Sequence, residues 1–371
     1  MSLAEKILVR GVNWLGDAVM TTPALQRLRE ARPQAHIALL THAKLRDLWL
    51  HHPAVDSVLT FETGETIFAV ARRLRAGQFT TALVLPNSPR SALEVFLARI
   101  PQRLGLERPW RNFLLTQRVQ PRAGAVEMHK RSLGEIHEFN RAGSPPPRPE
   151  IPASAHHLHQ YLHLAAALGA NPEPVPPRLE VTRAEVDAIQ KRFGFSPDGG
   201  TVLFGLNPGA EYGPAKRWPR ERFVAAAIEL QRRTNCHWWI FGGKADEPLA
   251  SAIAAEITAA KSGPPDSVRI LAGQTSLREL CAAVKACALV VTNDTGPMHV
   301  AAAVGTPVVV PFGSTSPELT GPGLPGDPRH RLIKAQVGCS PCFLRECPID
   351  FRCMNGISVE QVVEAALQTI R

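Results

Sequence analysis

The stretch "VVTNDTGPMHVAAAVGTPVVVPFG", residues 290–313, decides the reading of the fold. It opens with an apolar run that ends at Thr292, turns through Asn293, Asp294, Thr295 and Gly296, and continues as a helical pattern from Pro297. A second β-branched run follows from Pro307. Strands that are apolar on both faces, joined through a helix, belong to parallel sheets covered on both sides. Pro297 suits the first helical turn, where a missing N–H costs nothing. Thr295 and Gly296 then leave backbone N–H groups free at a helix N-terminus, an arrangement that binds phosphate. Asp294 beside such a site suits sugar hydroxyls better than phosphate; the plainer alternative is that Asp294 or Thr295 simply caps the helix. His299, one turn further on, either reaches the phosphates or is a satisfied buried histidine.

The same rhythm runs outward in both directions. Strand candidates lie at 201–208, 236–243, 268–273, 289–294 and 307–313, and an earlier series at 7–12, 36–42, 57–61, 81–86 and 114–119. Helical patterns such as "TPALQRLREAR" and "RERFVAAAIELQRR" separate them. Two series predict an α/β protein of two doubly wound, Rossmann-like domains, with ligands held at the carboxyl ends of the strands in a central cleft. The expected divisions are an acceptor-side domain over 1–170, a proline-rich linker over 171–180, and a nucleotide-sugar domain over 181–356. A closing helix over 357–371 carries one apolar stripe and is expected to pack back on the first domain. The proline-rich stretch 142–152 reads as a surface loop.

Composition narrows the classes. At 371 residues and 44% hydrophobic the chain is an ordinary globular one, long enough for two cores. No run of eighteen apolar residues reads as a membrane span, and the start reads as a strand rather than a signal peptide. Seven cysteines without a disulfide framework point to the cytosol. The net charge of +9 is uneven: residues 1–150 hold 21 Lys/Arg against 13 Asp/Glu, and residues 151–371 hold 21 against 20. A basic half attracts an anionic partner, although surplus arginine also aids solubility. Nucleic acid is disfavoured, because no zinc finger, RNA-recognition signature or basic aromatic run is present.

Three more loops follow strands. "GLNPGAEYGPAKRWP" (205–219) is neither a Walker A loop nor a G-x-G-x-x-G fingerprint, yet it sets Lys216 where a leaving diphosphate could be neutralised. "IFGGKADEP" (240–248) offers Asp246 or Glu247 to ribose hydroxyls, or as caps of the next helix. In "RGVNWLGDAVMTTP" (10–23), Gly16 and Asp17 sit between the first strand and the first clear helix. That position offers a carboxylate from the first domain.

With these loops in view, the chain resembles the bacterial lipopolysaccharide heptosyltransferases of glycosyltransferase family 9, most of all the type that adds the second heptose. The resemblance runs nearly end to end, through "NWLGDAVMTTPAL", "LVLPNSPRSALEVFLARIPQRLGL", "NPGAEYGPAKRWP" and "NDTGPMHVAAAVGTPVVVPFG". It implies the two-domain GT-B architecture and inverting transfer of L-glycero-D-manno-heptose from ADP-heptose to the phosphorylated inner core. It implies Asp17 as general base, Lys216 on the diphosphate, Thr295 and Gly296 as N–H donors to phosphate, and Asp294 on heptose hydroxyls. No cofactor is needed for catalysis. A cytoplasmic enzyme peripheral to the inner membrane follows, with Arg90, Arg99, Arg103 and Arg111 as candidates for the anionic acceptor. The alternatives are a 2-epimerase-like enzyme on the same architecture and a non-catalytic nucleotide-sugar-binding protein; a binder has no need of Asp17.

One motif stays outside that resemblance. Cys339, Cys342, Cys347 and Cys353 in "CSPCFLRECPIDFRC" suggest a small structural metal site, zinc or iron, with a disulfide pair or plain reduced thiols as alternatives.

Overall fold

The computed structural model describes residues 5–141, 150–196 and 201–370. Most of the loop read at 142–152 lies outside the described residues. The chain forms two compact units: the first takes the chain up to Ala125 and again Ser154–Glu180, the second Val126–Ala153 and Val181 onward.

In the first unit, β1 (Lys6–Arg10), β2 (His36–His42), β3 (Ser57–Phe61), β4 (Thr81–Val84), β5 (Gln102–Leu106) and β6 (Gln117–Val119) form one sheet. Its order is β3-β2-β1-β4-β5-β6, and every pairing is parallel. The strands are apolar on both faces because both are covered. Leu8, Ala38, Leu40 and Val84 pack on Val70, Leu74 and Val95, while Ile7, Val9, Ile37 and Leu39 are fully buried as well. The order reverses between β1 and β4, so the loops leaving those two strands diverge and open a crevice at their carboxyl ends.

The second unit repeats this plan. β7 (Leu203–Asn207), β8 (His237–Ile240), β9 (Val268–Ile270), β10 (Leu289–Thr292), β11 (Val308–Phe312) and β12 (Arg331–Lys334) are ordered β12-β11-β10-β7-β8-β9. The pairings are again parallel, and the reversal falls between β7 and β10. Phe204, Leu206, Trp238, Phe223 and Leu230 form the centre of its core.

Several expectations need correction. The closing helix, Val359–Thr369, buries Val362, Val363 and Ala366 in the core of the second unit, not on the first. The stretch read as a linker, 171–180, lies along the helix Thr22–Ala31 of the first unit. There Arg27 Nε donates to Glu173 O (2.9 Å) and Arg178 N to Thr22 Oγ1 (3.1 Å). Val126–Ala153 joins the second unit instead of the first: Arg131 Nη1 donates to Gly338 O at 2.7 Å, and Ile136 packs on Cys339 and Cys342.

Candidate active site

Lys216 and Asp294 leave the second sheet on either side of its reversal point, after β7 and β10. The strand ends are tied together there, with Asn207 Nδ2 donating to Thr292 Oγ1 at 3.1 Å. Asn293 holds the next layer: its Oδ1 accepts from Trp218 N (2.9 Å) and its Nδ2 donates to Pro208 O (2.7 Å). These bonds bring the Lys216 loop onto the turn after β10. Lys216 Nζ consequently stands 2.6 Å from Asp294 Oδ2, with the two side chains 13% and 3% exposed. Thr315, in the loop after β11, donates its hydroxyl to the same Oδ2. The Lys216 ammonium also sits over the Tyr212 ring, 4.9 Å from its centroid.

Beyond Asp294 the helix Gly296–Val304 begins, with Thr295 as its N-cap and a proline in its first turn. The Thr295 side chain makes no capping bond, so the helix terminus keeps its positive end for an anion. An ammonium and a helix N-terminus thus border one carboxylate. The first two can take the charge of a diphosphate, and the carboxylate can accept from sugar hydroxyls. His299 is buried. Burial pushes its pKa down to about 4; Asp294 opposes this, while Lys216 and His330 add to it. It is therefore neutral at pH 7.

Of the two acids after β8, Asp246 is committed locally. Its Oδ2 accepts from Gly243 N at 2.9 Å, and a Cβ on Gly209 would fall 2.7 Å from its carboxylate. It stands at the N-cap position of the helix Glu247–Ala259 but makes no side-chain capping bond to it; its carboxylate closes the turn Lys244–Asp246 instead. Glu247 opens the helix Glu247–Ala259 and lays its side chain against Gly273, beyond the end of β9.

In the first unit Asp17 is not in a loop. A short helix, Leu15–Met20, begins earlier than the sequence pattern indicates and carries Asp17 in its first turn, where the helix dipole favours a negative charge. Thr21 and Thr22 turn their hydroxyls onto Ala18 O and Val19 O (2.7 and 2.8 Å), and the chain restarts as the helix Thr22–Ala31. Tyr161 is buried nearby, its hydroxyl held protonated by burial and by the Asp17 charge. Beneath the loop lies a pair that sequence reasoning missed: Arg10 Nε and Glu94 Oε2, 2.8 Å apart and almost wholly buried. Arg10 also donates to Gly11 O (2.6 Å) and Asn13 Oδ1 (3.2 Å), fixing the loop that leads to Asp17. The signal was a charged residue inside the apolar run "ILVRGV". Thr315 and Tyr212 were missed too; "GSTS" directly after a buried strand was the cue for the former.

The four arginines do not converge. Arg90 pairs with Glu94 at 3.0 Å. Arg103 is spent on Leu114 O (2.8 Å) and Ile100 O (2.6 Å) at the amino end of β5. Arg99 is exposed at that same end, away from the carboxyl edge that bears Asp17. Arg111 is fully buried and donates to Pro86 O; burial, then Arg108, push its pKa down to about 10.

Cys339, Cys342, Cys347 and Cys353 do line one small cavity, with Ala215 and Ser314. All are free thiols. Among the described residues no three His, Cys, Asp or Glu side chains are set to hold a metal, so the expected zinc or iron has no support in the geometry. Burial, and then repulsion from the neighbouring thiols, raises Cys339, Cys342 and Cys353, the last to about 12. Main-chain bonds hold the loop instead: Phe343 N to Ser314 O (2.7 Å) and Ala215 N to Arg345 O (3.0 Å).

Known proteins share this arrangement of chain. Residues 147–351 match the family described as "Glycosyltransferase family 9 (heptosyltransferase)". Lipopolysaccharide heptosyltransferase 2 of Salmonella typhimurium is 32% identical over 330 residues, 85% of each chain, and that of Escherichia coli is 31% identical over the same shares. The solved structure of E. coli ADP-heptose lps heptosyltransferase II superposes with a TM-score of 0.75 at 28% identity, covering 98% of both chains. The chain belongs to glycosyltransferase family 9, the heptosyltransferases, and is a glycosyltransferase of two doubly wound units.

Proposed function

We propose that this enzyme transfers L-glycero-D-manno-heptose from ADP-heptose to the heptosyl-Kdo-lipid A inner core, adding the second heptose with inversion. The observation that carries the proposal is the Lys216–Asp294 pair at the foot of the helix Gly296–Val304, at the reversal point of the second sheet. The similarity to lipopolysaccharide heptosyltransferases 2 supports the choice of donor and acceptor.

Asp17 takes the proton from the acceptor hydroxyl as its oxygen bonds to the anomeric carbon. The bond from that carbon to the diphosphate breaks, and ADP leaves with the electron pair. Lys216 and the Thr295 and Gly296 N–H groups meet the charge that develops on ADP, the work a metal ion does in other transferases. Asp294 orients heptose hydroxyls, and Glu247 is the better placed acid for ribose. No described helix is long and apolar enough to cross a membrane. A cytoplasmic enzyme that meets its lipid-linked acceptor at the inner membrane surface fits this.

The test is incubation with ADP-heptose and a panel of truncated lipopolysaccharides, using wild type and Asp17→Asn. Transfer is expected only to acceptors that already carry the first heptose. Asp17→Asn should lose roughly 10²- to 10⁴-fold in kcat while binding ADP as wild type does. Heptose gained by no acceptor, or an unimpaired variant, refutes the proposal.

A further inference from the structure

The loop after β5 shows water an unusual pair of side chains: Trp110 is 82% exposed and Phe113 is 75% exposed. Loops with such residues are costly to keep ordered, and this one is pinned from beneath. Arg111, between the two aromatics, is buried and donates to Pro86 O beyond the end of β4. Arg108 N donates to Asn112 Oδ1 (2.8 Å), and Asn112 Nδ2 to Glu107 Oε1 (3.2 Å), closing the loop on itself. Its rigidity presents the two rings outward instead of letting them collapse onto the sheet. The surroundings are strongly basic: residues 99–122 hold six arginines and a single acid, Glu107, which is itself bonded to Asn112 and Gln120. Arg99 and Arg118 are exposed, and Arg108 and Arg122 are partly so. They lie along the length of β5 and the edge strand β6, from amino to carboxyl end. A charge spread along a sheet edge matches a plane of anions better than a compact ligand.

We propose that this β5–β6 end of the first unit docks on a bilayer with anionic headgroups, Trp110 and Phe113 entering the interface and the arginines meeting the headgroups. Tryptophan and phenylalanine flanked by arginine suit the boundary between water and acyl chains. The inference rests on the lipid-linked acceptor proposed above, and it gives that acceptor a route. Trp110 follows the carboxyl end of β5, Asp17 follows that of β1, and only β4 lies between the two strands. At the spacing of neighbouring strands the offset is about 10 Å, within reach of a sugar chain rooted in the membrane.

Binding of the full-length protein to phosphatidylcholine vesicles, with and without phosphatidylglycerol, tests the proposal. Wild type should bind the anionic vesicles. W110S/F113S should bind them roughly tenfold or more weakly, and R108Q/R118Q should lose the preference for phosphatidylglycerol. Each variant should transfer heptose to a deacylated, water-soluble acceptor as fast as wild type, which shows the fold and site intact. Undiminished vesicle binding by W110S/F113S, or wild-type binding indifferent to phosphatidylglycerol, overturns the proposal. So does slowed soluble transfer by W110S/F113S, or a wild-type dimer that these substitutions dissolve. Wild type that transfers nothing to the soluble acceptor, yet binds anionic vesicles through this loop, refutes the proposed reaction and leaves the docking surface standing.

Discussion

Replacing Lys216 by methionine keeps the stem and removes the ammonium that stands 2.6 Å from Asp294. The pair is nearly buried, so solvent does little to screen it. Removing one partner of a buried pair costs about 3–5 kcal/mol, chiefly because the other charge is left uncompensated. Thr315 still donates to Asp294, which puts this case at the lower end, roughly 3 kcal/mol. For a unit of this size that corresponds to a fall in Tm of about 6–12 °C. Activity should fall for a separate reason. In the proposed mechanism Lys216 meets charge that grows as the diphosphate leaves, and the loss of one such group costs about 10²–10³ in kcat.

The two effects part company in the double variant K216M/D294N. Neutralising Asp294 removes the stranded charge, so thermal unfolding followed by circular dichroism should return most of the lost Tm. Transfer from ADP-heptose, followed by release of ADP, should stay at least as slow as in K216M. If K216M melts with wild type, the pair contributes nothing to the fold. If the double variant regains activity along with stability, Lys216 acts only by holding Asp294, and its role toward the diphosphate is refuted.

Arg10→Met should cost about 3–5 kcal/mol, because Glu94 is left wholly buried with Arg90 as its remaining ion-pair partner among the described residues; transfer should also slow as the loop before Asp17 loosens, and denaturant unfolding with initial rates checks both. Burial lowers His52, His299 and His330 each to about 4. As pH falls below about 6.5 the unfolded chain takes up protons that the folded one refuses, so stability is lost between about pH 6.5 and 4, by at most roughly 3 kcal/mol per histidine. Melting curves across that window should show the loss, and His52→Gln should make it shallower. Gly205→Ala would bring a Cβ to 2.5 Å from Phe241 and 2.9 Å from Val290; overpacking of about 1–3 kcal/mol should appear as a lower urea midpoint with an unchanged m-value.

The doubly wound plan was legible because a strand covered on both faces must be apolar throughout, and "HIALLTH" or "LVVTND" can be little else. Two strands escaped that signal. β5, "QRLGL", carries Arg103, whose guanidinium finds main-chain carbonyls at the amino end of the strand, and Gly105, whose missing side chain makes room for Arg111. β12, "RLIK", is an edge strand, half exposed and so only half apolar. The first helix was placed late because Thr21 and Thr22 read as the start of a helix, whereas their hydroxyls end one and the chain begins another. The closing helix illustrates a further limit. Its apolar stripe says that it packs, and only the tertiary structure says against what.

The candidate site was more legible than single residues deserved. Asp17, Lys216 and Asp294 each looked as ordinary as a cap or an exposed lysine. Topology raises their standing, because both sheets reverse next to the strands that these loops leave. In a doubly wound sheet that is where diverging loops open a crevice, so a polar side chain there has less reason to be only a cap. Two of the arginines fail the same test: Arg99 and Arg103 sit at the amino end of β5, where no crevice opens. What the sequence could not show is coupling. Lys216 and Asp294 read as separate contacts to diphosphate and sugar, yet without ligand they satisfy each other. A donor that occupies both must part them, giving its phosphates to the ammonium and its hydroxyls to the carboxylate. A nucleoside diphosphate without the sugar offers only half of that exchange, so ADP should gain less from Lys216 than ADP-heptose does. K216M should therefore weaken ADP-heptose binding more than ADP binding. Equal losses for the two ligands in calorimetric titrations would show that the pair does not open on the donor.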